Sequence, residues 1–595
     1  MTPSDADVTQ QPPALGNQYD DDRVLVSYLR QTMSEEELSR IEDELRSLGE
    51  IAGGELYDLY LDDLAKEPIL TRWGPWGDRI DEIEVTDVWK RAEEVAATFG
   101  VVAAGYERHL GDKSRVHQFA LAHLFIPSTD MYGCPLAMTD GAASTLLASG
   151  NDDLIDTAVP HLTSRDPDVF WTSGQWMTEL SGGSDVGRSK TTARQDDTGA
   201  WRLYGRKWFT SAITANMALA LARPEGNPDG GRGLALFYVP IRENGDLVDG
   251  IAVNRLKDKM GTRKLPTAEL DLDGARAIPV GELKNGTRNI APMLNVTRTW
   301  NAVTATSFVR RGLALARDYA QKREAFGKDI IEHPLHQETL ADVQAIYEGM
   351  FHLSFRVAEL LGKSDDGTLS ETERGLLRMM TPIAKLTTGK QVVPAMSELL
   401  EAFGGAGYVE DTGIPTLLRD AQVLPIWEGT TNVLSLDTLR ALASVGGMKP
   451  LKAEFKRCAQ AIHSPTLKKP MTTALRAFRD AAVWLKESTG DEEAQQAGAR
   501  RFALTVGKSL ELALTCRHAQ WSLDNEQDGR SAAAAVRFAA TRISHVADLD
   551  HHDAYVLVHD FNCPTLFECH NGSGDGVSTA EDDLSAFMDA DRRNA

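Results

Sequence analysis

The hydrophobic period of this chain changes twice, and those changes set its layout. From Arg23 to about Pro167, apolar residues recur at helical spacing, as in Leu25, Tyr28, Leu29 and then Leu38, Ile41, Leu45, Leu48. Between about 167 and 285 the apolar runs become short, aromatic-rich and Gly-punctuated. From about Ile290 the helical period returns and persists to about 545. The pattern predicts an α+β chain, mainly α, in the order α domain, antiparallel β domain, four-helix bundle, extra helical block. The expected boundaries are 1–55 (an extension, mobile to about 22), 56–166, 167–285, 286–446, 447–570 and an acidic tail at 571–595.

Within that frame, Ser34 ahead of Glu36 and Glu37 reads as a helix start. Tyr57–Ile69, Asp87–Leu110, Val116–Leu124 and Gly141–Ser149 read as further helices, making the first region all-α. Trp201–Thr210 reads as a strand pair, Gly233–Pro240 as a buried strand and Thr267–Asp273 as an alternating one. Bundle helices are expected at Ile290–Gln321, Leu335–Leu361, Glu371–Ala402 and Thr431–Val445.

A chain of 595 residues can bury several cores. Its net charge of −24 argues against general binding to a phosphate backbone. The five scattered cysteines form no C-x-x-C pair, which reads as reduced thiols. No secretory, mitochondrial or peroxisomal signal and no membrane-length apolar run is present, so a cytoplasmic location is expected.

Three stretches carry candidate chemistry. In Gln175–Val186, Ser181-Gly182-Gly183 lets a backbone approach a flat or phosphorylated ligand, with Thr178 and Ser184 as hydroxyls and Trp176 and Met177 as an apolar wall. In Lys207–Ser211, Trp208 and Thr210 are expected on one side of a strand, to stack on and hydrogen-bond a heterocycle. In Pro425–Asn432, Glu428 lies between Trp427 and Gly429. It reads either as a desolvated carboxylate of raised pKa, suited to proton abstraction, or as an ordinary glutamate before a helix.

In order and spacing these stretches resemble the acyl-CoA dehydrogenase superfamily over roughly residues 60–445. Arg323-Glu-Ala-Phe-Gly-Lys328 and Phe403-Gly404-Gly405-Ala-Gly-Tyr408 are similar to its segments for the ADP half of a neighbouring subunit's flavin. Cys134-Pro-Leu-Ala-Met-Thr139, Leu256-Lys-Asp-Lys-Met-Gly261, Trp427, Glu401 and the extra ends resemble the AidB-like branch. The resemblance implies FAD held by Met177, Thr178, Gly183, Ser184, Trp208, Phe209, Thr210, Trp427, Thr430 and Asn432. Arg323, Phe326, His333, Glu401, Gly404 and Gly405 would reach a second subunit's flavin, in a dimer of dimers. Glu428 would remove the α-proton of an acyl thioester while the β-hydrogen leaves as hydride, giving the 2,3-enoyl-CoA. Arg298 would tune Glu428, and Ser184, Arg298 and Gly429 would meet the substrate. The electron acceptor would be an electron-transfer flavoprotein or oxygen. The alternative is an AidB-like flavoprotein that binds fatty acyl-CoA or DNA with little turnover.

Weaker signals remain. Residues 449–542 hold 16 Lys/Arg against 10 Asp/Glu, a local basic excess. A solvated helical face explains it better than DNA binding. His551, His552, His559, Cys563, Cys569 and His570 match no standard zinc spacing, so no metal is expected.

Overall fold

The computed structural model describes residues 10–243, 245–549 and 551–560. The N-terminal region opens with α1 (Arg23–Thr32), capped by Asp22, whose carboxylate accepts from the amides of Val24 and Leu25. Ser34 and Glu37 form a capping box for the short helix Glu35–Ser39. Residues 10–22 were expected to be mobile, but 10 onward is tied down. The Ala14 amide donates to Asp318 Oδ2 at 2.7 Å, and Asp22 is wholly buried.

The first region is not all-α. Two antiparallel strands, β1 (Ile69–Trp73) and β2 (Arg79–Glu84), stand between the helices expected at Tyr57–Ile69 and Asp87–Leu110. Their turn residues, Gly74-Pro75-Trp76-Gly77, break a helix. The hairpin is anchored through backbone groups: Arg72 and Arg79 donate to the carbonyls of Asn254 and Val253 at 3.0 and 2.8 Å. A contact made to main chain leaves no hydrophobic period to read. Further on, α2 spans Gly133–Ser149, eight residues longer at its start than the periodicity suggests, because it is buried nearly all round.

The middle domain is a seven-stranded sheet. Its strands include β3 (Ser173–Trp176), β4 (Thr192–Gln195), β5 (Trp201–Ser211), β6 (Met217–Pro224), β7 (Ala235–Pro240), β8 (Ile251–Leu256) and β9 (Thr267–Pro279). Pairing is antiparallel except for β3–β6 and β4–β6, which are parallel. The expected strand pair at 201–210 is one long strand. Gly205 sits within it at φ +153, where a Cβ would lie 2.6 Å from Thr191 Oγ1. The glycine is there for close approach, not for a turn.

The bundle helices α3 (Ala291–Lys322), α4 (Pro334–Asp365), α5 (Glu371–Glu401) and α6 (Thr431–Ser444) match their sequence limits within three or four residues. Pro334 at the first turn of α4 and the Ser370/Glu373 capping box of α5 mark the starts. The extra block comprises α7 (Lys449–Gln460), α8 (Pro465–Glu487), α9 (Glu492–Asn525) and α10 (Arg530–Ala539). It shares one apolar core with the bundle, in which Leu376 and Met380 of α5 belong with Phe455, Leu467 and Phe502. The buried pair Arg356–Glu454, at 2.9 Å, crosses that junction. The N-terminal extension touches the block too: Ser27 Oγ lies 3.2 Å from His518 Nε2. Among the described residues no helix is long and apolar enough to cross a membrane.

Candidate functional site

Glu428 sits three residues ahead of α6, in a turn where it adopts φ +56 and Gly429 φ +104. A left-handed glutamate costs about 1 kcal/mol and persists only where its surroundings hold it. Two cations hold this one. Arg298 Nε donates to the Glu428 carbonyl at 3.3 Å, and Lys385 Nζ to the Gly429 carbonyl at 2.6 Å. Arg298 is itself aimed by Asp437 at 2.9 Å, and Asp437 also accepts from Arg378 at 2.8 Å. The Glu428 carboxylate accepts from Thr297 Oγ1 at 2.6 Å.

Burial raises the pKa of Glu428, while Thr297, Arg298 and Lys385 pull it back without cancelling the rise. Lys385 is fully buried, and burial pushes its ammonium down to about 7. Sequence reasoning named Glu428 and Arg298, which the structure brings together, but not Thr297, Lys385 or Asp437 beside them. Lys385 left one signal, a lone charge among the buried residues Met379–Leu386 of α5.

The AidB-like motifs come to the same place. Cys134, at the start of α2, is buried and pushed up to about 12, with the Glu428 charge contributing. Burial brings Lys259 down to about 8, and Cys134 and Asp420 oppose that fall. Lys259 Nζ donates to Leu265 O at 2.7 Å and to Thr267 Oγ1 at 3.1 Å; Ser211 Oγ lies 3.1 Å from that same hydroxyl. A continuous set of contacts and charges thus runs from the end of β5, beside Thr210, to Glu428.

On the sheet side, the loop after β3 turns at Leu180-Ser181, with Glu179 and Gly182 exchanging backbone hydrogen bonds at 3.1 Å. Glu179 locks it down by accepting from Thr191 Oγ1 at 2.6 Å and from the buried Lys207 ammonium at 2.8 Å. Replacing Glu179 with Ala strands that ammonium, so the expected result is about 3–5 kcal/mol of lost stability. Looser flavin retention should accompany it, read from thermal melting and flavin absorbance after gel filtration. Trp176 is wholly buried in the sheet core and is not part of a wall; Met177 is 7% exposed.

The expected shared side for Trp208 and Thr210 fails at a bulge. Ala268 pairs with Thr210 but Leu270 pairs with Lys207, so Trp208 and Phe209 together oppose Glu269. Lys207 and Thr210 are therefore both fully buried, Trp208 is half-buried and Phe209 is 54% exposed. Thr210 Oγ1 donates to Ala268 O at 2.7 Å. Lys257 Nζ stands 3.6 Å from the Trp208 ring centroid, leaving at most one face for a stacked ring. The Trp208 amide donates to Thr178 O at 3.1 Å, joining the two stretches.

These residues fit a flavin. Ser181 Oγ is buried without a partner, and Ser184 and Gly183 are exposed, a Cβ at Gly183 meeting only Thr178 Cγ2 at 4.0 Å. Thr430 caps α6 by backbone alone, leaving its exposed side chain free of a cap bond. Beside it, Asn432 Oδ1 accepts from Arg500 of α9 at 3.5 Å, so the extra block reaches this end of the site. The residues of the two remaining segments are largely exposed. Phe326 is 99% exposed at φ +53 and meets His333 edge-on at 6.1 Å. Arg323, Glu401, Gly404 and Gly405 are exposed, with nothing near either glycine. Among the described residues, no group of three His, Cys, Asp or Glu is placed to hold a metal ion. Cys563, Cys569 and His570 lie outside the described residues.

Comparison with known proteins identifies the family. The family model for the acyl-CoA dehydrogenase C-terminal domain matches residues 284–443, and that for the middle domain matches 174–275. The model for the N-terminal domain of the adaptive response protein AidB matches 10–169. Acyl-CoA dehydrogenase family member 11 of Caenorhabditis elegans is 42% identical over 539 residues, 87% of either chain. AidB of Escherichia coli is 31% identical over 397 residues, 65% of this chain and 71% of that one. The crystal structure of Caenorhabditis elegans ACDH-11 in complex with C11-CoA superposes with a TM-score of 0.88 at 40% identity, covering 95% of this chain and 98% of that one. The apo form of Bd2924 gives 0.79 at 42% identity, covering 86% and 99%. The chain belongs to the acyl-CoA dehydrogenase family of FAD-dependent oxidoreductases. Within it, the AidB-type N-terminal domain places the chain in the AidB-like branch.

Proposed function

We propose that this chain catalyses α,β-dehydrogenation of an acyl-CoA thioester to the 2,3-enoyl-CoA, with Glu428 as the base. The observation that carries the reading is the Glu428 carboxylate, desolvated, held by Thr297 and raised above the usual carboxylate range. A carboxylate shifted in that direction is a stronger proton acceptor than an ordinary one. It takes the α-proton, and the electron pair of that C–H bond becomes the π bond between C2 and C3. FAD, when bound, supplies the acceptor for the β-hydrogen and its electron pair. Met177, Thr178, Gly183, Ser184, Trp208, Phe209, Thr210, Trp427, Thr430 and Asn432 would hold it, the loop after β3 and the start of α6 offering free donors. Arg298, Gly429 and Ser184 would orient the thioester. Arg323, Phe326, His333, Glu401, Gly404 and Gly405 would complete a second protomer's site; the exposure of Phe326 supports this role. The expected assembly is a dimer of dimers in the cytoplasm, passing electrons to an electron-transfer flavoprotein or oxygen.

Anaerobic titration with acyl-CoAs of increasing length tests the reading. Bleaching of the flavin absorbance supports it. Tight binding without bleaching favours the second reading, an acyl-CoA-binding flavoprotein with little turnover, which the C11-CoA complex of the worm relative keeps open. Salt-sensitive retention on DNA would point to the basic block instead.

A further inference from the structure

A cavity of about 410 Å³ opens where the start of α1 meets α3, α4 and α10, and none of its lining residues belongs to the site above. Five arginines line it: Arg23 from α1, Arg310 and Arg317 from α3, Arg530 and Arg537 from α10. Three carboxylates share the lining, Asp21, Asp22 and Glu348, which leaves two positive charges in excess.

The pairing inside is uneven. Asp22 is consumed by the fold, accepting from the Tyr347 hydroxyl at 2.8 Å and from α1 amides, and lying 3.3 Å from Arg310. Glu348 is fully buried against Arg23. At the mouth, Arg530 and Arg537 lean on carboxylates that do not line the cavity: Asp528 at 2.7 Å, and Glu338 and Asp342 at 2.8 and 2.7 Å. Arg317 has no carboxylate partner among the described residues; it donates to the neutral Gln344 Oε1 at 2.6 Å. Burial, then the charges of Arg310 and Arg23, lower its pKa, with Glu348 opposing the fall. Guanidinium groups converging from three helices suit the planar, many-oxygen face of phosphate. The volume is that of a small-molecule site.

We propose that this cavity binds a small metabolite bearing a diphosphate, held by Arg317 and Arg310 from within and by Arg537 at the mouth. The ligand would bridge the N-terminal extension, the bundle and the extra block, and so couple occupancy to the docking of both ends of the chain.

The test uses full-length, FAD-saturated protein and two probes, inorganic pyrophosphate and ADP, in isothermal titration calorimetry. One site per protomer is expected, weakening as salt rises. Arg317→Gln should weaken it about 10- to 100-fold, as expected for lost hydrogen bonds to a charged group. Arg537→Gln should weaken it less, and ligand-free melting and flavin reduction by acyl-CoA should stay as in the wild type. Either probe is expected to raise the melting temperature of the wild type but not of Arg317→Gln. Absence of saturable binding by both probes, or binding that survives Arg317→Gln unchanged, overturns the proposal. The second result would place the probe at the flavin or thioester site. Should Arg317→Gln fold poorly, Arg537→Gln carries the test, and unaltered affinity in it overturns the proposal as well.

Discussion

Replacing Glu428 with Gln is expected to slow flavin reduction by acyl-CoA about 10²–10⁴-fold, with FAD still bound. The amide keeps the shape of the carboxylate and can still accept from Thr297 Oγ1, so the turn at 428–429 has no reason to move. What it loses is the ability to take a proton. Burial makes the carboxylate harder to ionise in the folded chain than in the unfolded one. At neutral pH that penalty opposes folding, and the amide does not carry it. The variant should therefore melt no lower than the wild type, which separates lost chemistry from lost structure. Anaerobic stopped-flow absorbance gives the rate and a thermal scan gives the melting point. Flavin reduction at the wild-type rate would remove Glu428 from its proposed role.

The fold was legible wherever a local signal marks a boundary. The Ser370/Glu373 capping box starts α5 and Pro334 starts α4, and both helices begin within a residue of their expected starts. Residues that act through distant partners were hidden. The β1–β2 hairpin is anchored through carbonyls of β8, 182 and 174 positions away, and no hydrophobic pattern records that. The bulge at Trp208–Phe209 exists because β9 supplies one residue where β5 supplies two, a property of the pair rather than of either sequence. At the site, Glu428 read bottom-up was divided between a base and a helix-start glutamate. Its left-handed backbone sets it ahead of α6, and its contacts come from α3 and α5. Thr297 was one position from a residue already singled out and was still missed, because periodicity cannot tell which of two neighbours in a buried helix faces a loop 131 residues on.

Lys385→Met is the stricter test of how that carboxylate is poised. The substitution keeps the length of the side chain and removes the bond to the Gly429 carbonyl together with one of the two cations that favour ionised Glu428. Losing a hydrogen bond from a charged group is worth about 1.5–3 kcal/mol, and the turn then keeps only the bonds that Thr297 and Arg298 make to Glu428. The expected loss of kcat/KM is therefore roughly 10- to 100-fold. Its pH dependence follows from the charges. Removing a cation makes the carboxylate harder to ionise, so the acid limb of the rate profile should move to higher pH. Lys385 itself loses its proton through about pH 7. Above that pH the wild type has also lost the cation, so the ratio of wild-type to variant rates should narrow, leaving only the missing bond. Stability should move the other way. A lysine at about 7 in the folded chain and near 10.5 in the unfolded one opposes folding fully below pH 7, and that opposition fades as pH rises towards 10.5. Methionine lacks it, so any gain in melting temperature should be largest at or below pH 7 and shrink above. A rate ratio that stays constant from acid to alkaline pH would mean that Lys385 braces the turn and has no electrostatic hold on Glu428.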